Sequence, residues 1–167
     1  IDPVMVSTGQ DRLLDEDAVQ SMKTRLVSRA RVATPNMAEA EVLTGQPVTT
    51  PDDMAAAGKA ILELGADAVL VTGGHLEGDT LTDVLVRADG VERFQSPRID
   101  STNTHGTGCT LASGIAVGLA QGTELKSSVE RARDYVHEAI QSAPGLGSGY
   151  GPLNHGHTFS SRSDSRG

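Results

Sequence analysis

Ala68-Val-Leu-Val-Thr72 is the stretch that most limits what this chain can fold into. It is apolar without alternation and is bounded by Gly65 on one side and Gly73-Gly74 on the other. A strand with one face in water alternates polar and apolar residues. An unbroken run predicts a strand covered on both faces. Around it, short apolar runs alternate with helical patterns. Residues 4–6 and 31–34 read as short strands. Helices are predicted at 15–29 (N-cap Asp15; buried stripe Val19, Met22, Leu26), at 37–43 ended by Thr44-Gly45, and at 51–64 stopped by Gly65. Residues 80–86 and 91–95 flank Ala88-Asp89-Gly90, a hairpin signal. Two more helices follow, at 108–121 and at 124–143, the second with Leu125, Val129, Ala132, Val136, Ile140 and Ala143 on one face. Strands alternating with helices predict a parallel α/β sheet with helices on both faces, to which the hairpin adds an antiparallel edge. In such sheets ligands lie beyond the carboxyl ends of the strands. Those ends release the loops at 7–11, 35–39 and 73–78, and the turn at 103–109 is placed to join them.

Bulk properties exclude several classes. The chain has 167 residues, one domain by length, and a formal charge of −8. With two Phe, two Tyr and no Trp, it lacks the basic patch and the stacking residues of a nucleic-acid binder. No apolar run approaches the ~18 residues of a membrane helix, and no signal peptide is visible at the start. The single cysteine fits a reducing compartment, so a cytoplasmic location is expected. Ile1-Asp-Pro-Val-Met-Val6 reads as a strand entered in mid-stream. The chain is therefore expected to be the later part of a longer protein, with residues 156–167 as a disordered tail.

Four places can carry chemistry, and each has a plainer reading beside it. Ser101-Thr-Asn-Thr-His-Gly-Thr-Gly-Cys-Thr-Leu-Ala-Ser-Gly-Ile115 is a glycine turn that opens a helix. Unpaired N–H groups and the helix dipole suit such a turn to an anion, but it is equally a loop before a core helix. It is not a Walker A loop, because no Lys follows Gly106 and Gly108. Within the turn, Cys109 at a helix N-terminus can be a thiolate or an inert thiol. His105 can shuttle a proton or be a surface residue. Asn36 and Glu39, three apart on one helix face, can hold Mg²⁺ and phosphate or form a capping box. Thr72 and Gly74 offer a hydroxyl and an N–H to a phosphate, or merely end a strand. Asp2 can face metal or be a solvated acid. No Cys/His spacing supports zinc.

Asp2-Pro-Val-Met-Val6, Thr34-Pro-Asn-Met-Ala-Glu39, Val71-Thr-Gly-Gly-His75 and His105-Gly-Thr-Gly-Cys-Thr-Leu-Ala-Ser113, followed by Gly149-Tyr-Gly-Pro-Leu-Asn-His155, together resemble the hydroxymethylpyrimidine/phosphomethylpyrimidine kinases of thiamine biosynthesis. These belong to the ribokinase-like superfamily, and the resemblance covers about residues 1–155. It implies a three-layer α/β/α sandwich with a mostly parallel sheet and an antiparallel edge hairpin, with residues 1–155 as the C-terminal part of a single kinase domain whose N-terminal portion is missing. It implies ATP and Mg²⁺ as cofactors, a small pyrimidine alcohol and its monophosphate as substrates, no nucleic-acid or membrane partner, and a homodimer at full length. Carried over by position, Gly106, Thr107, Gly108 and Cys109 form the anion hole, with Cys109 where the catalytic base sits. Asn36, Thr72, Gly74 and Thr107 attend the nucleotide phosphates, and Glu39 and Asp2 the metal. Most ribokinase-like enzymes carry Asp at the Cys109 position, so the cysteine points to the pyrimidine/pyridoxal branch. Many relatives carry Lys where this chain has Thr72. Pyridoxal/pyridoxine kinase activity, or a catalytically silent nucleotide-binding fragment, are the alternatives.

Overall fold

The computed structural model describes residues 1–5 and 13–160. The chain divides into two compact units, Ile1–Arg98 and Ile99–Gly167.

In the first unit, Asp15 caps helix α1 (Glu16–Ser21) by accepting the Ala18 N–H at 2.8 Å. The helix continues as a π segment (Met22–Leu26) and a 3₁₀ turn (Val27–Arg29). That π turn corrects the predicted stripe. A wider turn inserts one residue into the repeat, so Val27 is buried while Leu26 is 46% exposed. Helix α2 (Met37–Thr44) ends at Gly45 in the left-handed conformation, and α3 (Pro51–Leu62) starts from a Thr50/Asp53 capping box.

Strands β1 (Ala68–Val71), β2 (Thr80–Arg87) and β3 (Gly90–Pro97) form a sheet in that order, and both pairings are antiparallel. The expectation of a mostly parallel sheet is corrected here, because the hairpin joins β1 itself. Among the described residues, parallel pairing is confined to isolated bridges: Ala33 with Val69 and Asn36 with Thr72 here, and His105 with Pro152 in the second unit. A ladder of hydrogen bonds nevertheless runs along this side: Ala33 N–H to Ala68, Leu70 N–H to Ala33 and Thr72 N–H to Pro35. Pro35 has no N–H to contribute, which limits the segment to bridges. Ile1 in turn donates to Val32 O at 2.7 Å and accepts the Thr34 N–H at 2.9 Å. Residues 4 and 5 form no strand, and Val6 and the loop at 7–11 lie outside the described residues.

β1 is buried along its whole length, as its composition requires. Val69 and Val71, with Val84 and Val86 of β2, join Met54, Ala57 and Ile61 of α3 and Met5, Val27 and Ala40 in one core. β3 forms the exposed edge.

In the second unit, α4 (Thr107–Ala120) and α5 (Leu125–Gln141) pack through small residues. A methyl group on Gly114 would stand 2.9 Å from Ala132 Cβ, and one on Gly118 would stand 2.5 Å from Ser128 Oγ. The buried residues of α5 are Ser128, Val129, Ala132 and Ala139, so its seam is centred nearer its start than the predicted stripe. A short helix, α6 (His157–Ser160), occupies the first part of the segment expected as a tail; residues 161–167 lie outside the described residues. No helix among the described residues is long and apolar enough to cross a membrane.

Candidate functional site

Glu39 is the third residue of α2 and only 3% exposed. Its Oε2 accepts the Asn36 N–H at 2.8 Å, and its own N–H donates to Asn36 Oδ1 at 2.9 Å, so the capping box is present. Oε1 accepts the Met5 N–H at 3.4 Å. Burial pushes the carboxyl up to about 7, the Asn36 and Met5 N–H groups oppose that rise, and the nearby charge of Asp2 adds to it. Asp2 Oδ2 is itself buried without a hydrogen-bond partner among the described residues. Two neighbouring carboxyls, one with an unsatisfied oxygen and one raised by burial, leave excess negative charge here, offset in part by the Ile1 ammonium beside Asp2. A divalent cation fits that excess. No cluster of three or more His, Cys, Asp or Glu converges among the described residues. With two carboxyls at most, a cation held here would have to complete its shell with water and phosphate.

The Asn36–Thr72 bridge sets Thr72 beside this pair. The chain then turns at Gly73, whose N–H donates to Asp83 Oδ1 at 2.8 Å. A Cβ on Gly73 would lie 2.0 Å from Thr82 O, whereas one on Gly74 would meet nothing within 4 Å. The residue that must be glycine here is thus Gly73, next to the Gly74 singled out from sequence. Arg98 closes the loop from the far end. Its Nη1 donates to Gly74 O and its Nε to Gly78 O, both at 2.8 Å, and its Nη2 donates to Leu76 O.

In the second unit, Gly106 is the N-cap of α4 at φ 86°, a conformation open to glycine. No side chain caps this helix. Helices α1, α2, α3 and α5 are capped by Asp15, Asn36, Thr50 and Glu124. An uncapped helix start directs N–H groups and the positive end of the dipole at whatever lies before it. Gly108 and Cys109 are exposed there. The turn is braced by the C-terminal segment: His105 N–H donates to Gly151 O and Gly151 N–H to Thr102 O, each at 3.2 Å. A Cβ on Gly151 would stand 1.9 Å from Asn103 Oδ1, so the Gly-Tyr-Gly-Pro run closes tightly on the turn.

The structure thus gathers Asp2, Asn36, Glu39 and Thr72 in one unit and places Gly106, Thr107, Gly108 and Cys109 in the other. Sequence reasoning placed Gly73 and Gly151 in motifs without giving either a structural role, and it missed Asp83 and Arg98. A lone acid directly before the apolar Val84-Leu-Val86 could have flagged Asp83, which is 3% exposed. Nothing local marks Arg98.

Residues 1–154 match the model of the phosphomethylpyrimidine kinase family. The chain is 46% identical to a hydroxymethylpyrimidine/phosphomethylpyrimidine kinase of Rhizobium meliloti, over 95% of this chain and 61% of that protein. It is 47% identical to the thiamine biosynthesis bifunctional protein ThiED of Geobacter sulfurreducens, over 93% of this chain and 32% of that one. It therefore spans about a third to three-fifths of the length of these relatives. Among solved structures, Bacillus subtilis pyridoxal kinase in complex with ADP superposes with a TM-score of 0.85 at 34% identity, covering 95% of this chain and 59% of that one. Phosphomethylpyrimidine kinase from Clostridium difficile superposes with a TM-score of 0.71 at 37% identity, covering 83% and 55%. With its capped acid pair and its uncapped glycine turn both inside the matched span, this chain belongs to the phosphomethylpyrimidine kinase family.

Proposed function

We propose that the protein containing this chain phosphorylates 4-amino-5-hydroxymethyl-2-methylpyrimidine, and then its monophosphate, at the expense of ATP in thiamine biosynthesis. The observation that carries this reading is the uncapped start of α4, with Cys109 in its first turn, inside a family match that spans residues 1–154. ATP use is supported by the related kinase solved with ADP.

The turn at Gly106, Thr107 and Gly108 holds the transferred phosphoryl group through the Gly106 and Gly108 N–H groups, the Thr107 N–H being turned to Thr104 O at 3.3 Å, and the helix dipole favours the charge. Cys109 takes the proton from the substrate hydroxyl as its oxygen attacks the γ-phosphorus and the bond to ADP breaks. Thr72 and Gly74, with Asn36, hold the nucleotide phosphates. Asp2 and Glu39 are the residues that would hold Mg²⁺, which when bound neutralises phosphate charge. The reading includes a ribokinase-like three-layer domain, of which residues 1–155 are the C-terminal part, a cytoplasmic location and a homodimer.

The likeness to pyridoxal kinase at a TM-score of 0.85 favours one second reading, phosphorylation of pyridoxal or pyridoxine. A coupled assay for ADP on the full-length protein tests both. ADP released with the pyrimidine alcohol is the expected result, and release with pyridoxal alone selects the second reading. No release with either overturns both readings.

A further inference from the structure

We infer that Arg98 is a positioning residue for the nucleotide-phosphate turn at 72–74, an inference that rests on the kinase reading above. One guanidinium is committed to three backbone carbonyls, those of Gly74, Leu76 and Gly78, and the Arg98 N–H adds a bond to Asp79 O at 2.8 Å. Such a rigid fork of donors is a property of arginine that lysine does not share. The loop it spans follows directly from the strand end that carries Thr72.

What this does to the turn follows from peptide geometry. The chain has no cis peptide bonds among the described residues, so each carbonyl points opposite to the N–H of the next residue. Turning the carbonyl of Gly74 toward Arg98 therefore aims the His75 N–H away from it. Gly73 O accepts the Leu76 N–H at 3.0 Å, which aims the Gly74 N–H out of the turn. At the other end of Gly73, its N–H is held by buried Asp83 at 2.8 Å, and Thr82 O leaves no room for a side chain. The peptide planes on both sides of Gly74 are thereby fixed, and two consecutive N–H groups are kept out of internal hydrogen bonds. Arg98 sets their direction through the carbonyls it holds. Binding an anion on such donors costs less when their orientation is set in advance.

The test is Arg98→Gln and Arg98→Lys in the full-length protein, with Arg93→Gln as the control. Arg93 is an exposed arginine of the same hairpin whose Nη2 meets Asp52 at 2.5 Å. Arg98→Gln should raise the KM for ATP about tenfold while kcat stays within about twofold, and amide exchange should quicken at 74–79. Arg98→Lys should recover part of the loss, and Arg93→Gln should change neither parameter. An ATP KM unchanged in Arg98→Gln, with or without faster exchange, overturns the inference and leaves Arg98 a loop staple. A fall in kcat at constant KM overturns it too. If Arg98→Gln does not fold, the lysine variant carries the same comparison through its affinity for a non-hydrolysable ATP analogue. A wild-type protein that binds no nucleotide removes the kinase reading and this inference with it, a result distinct from failure of the variants alone.

Discussion

Glu39→Gln should make the metal-free protein more stable above neutral pH and less able to use a cation. The buried carboxyl titrates near 7 instead of its ordinary 4.5 because burial penalises its charge. The folded chain therefore binds this proton more tightly than the unfolded chain does. Its contribution is complete below pH 4.5 and is lost as pH rises through about 7. The rise from 4.5 to about 7 corresponds to roughly 3 kcal/mol at ~1.4 kcal/mol per pH unit. Glutamine keeps an oxygen for the Asn36 N–H and so preserves the capping box, but it carries no charge to desolvate. Thermal unfolding of both proteins from pH 5 to 8 without divalent cation should give nearly equal stability at pH 5. By pH 8 the variant should lead by up to about 3 kcal/mol, or roughly 6–12 °C for a domain of this size. This is an upper bound, because the new amide also needs an acceptor. Adding Mg²⁺ at pH 8 should raise the melting temperature of the wild type and leave the variant unmoved. A variant no more stable than the wild type at pH 8, or a difference that does not grow with pH, would refute the strained-carboxylate argument.

Two further substitutions probe the glycine turns and the thiol. Gly73→Ala places a Cβ 2.0 Å from Thr82 O and should cost about 3 kcal/mol or more. Gly74→Ala meets nothing within 4 Å and should stay within about 0.5 kcal/mol. Equal melting temperatures for the two would show that the turn is looser than its contacts imply. Cys109→Ala at an exposed position should leave stability almost unchanged and lower kcat by about 10²- to 10⁴-fold if the thiolate accepts the hydroxyl proton. An unchanged kcat reduces Cys109 to a small residue at a helix start.

Local features were the most legible from sequence. Asp15, Asn36, Gly45 and the turn at 88–90 stand where side-chain chemistry placed them, because caps and turns are decided within four residues. The double burial of β1 followed from its unbroken apolar run. The π turn at Met22–Leu26 did not, since no residue type signals an extra residue in a helix and only the exchange of Val27 for Leu26 in the core reveals it. The sheet was misjudged for a different reason. The strand at 31–34 had the right composition, but Pro35 interrupts its ladder, while the hairpin, legible as a hairpin, gave no clue that it pairs with β1. At the site, the residues with plausible chemistry were visible and their supports were not. Asp83 reaches back 10 residues to Gly73, Arg98 reaches back 24 to Gly74, and Gly151 closes on Asn103 across the whole of α4 and α5. Contacts of that separation leave no periodic trace. The capping box was legible as one of two readings of Asn36 and Glu39. Burial adds that the same carboxylate is charged only at a cost, which makes cap and cation site compatible.

The most direct measurement is the fate of the γ-phosphorus. Phosphorus NMR of the full-length protein with ATP, Mg²⁺ and 4-amino-5-hydroxymethyl-2-methylpyrimidine should show a phosphomonoester resonance growing in step with ADP, followed by a diphosphate ester as the monophosphate is consumed. ATP that persists unchanged, or that yields only inorganic phosphate, contradicts phosphoryl transfer at the glycine turn.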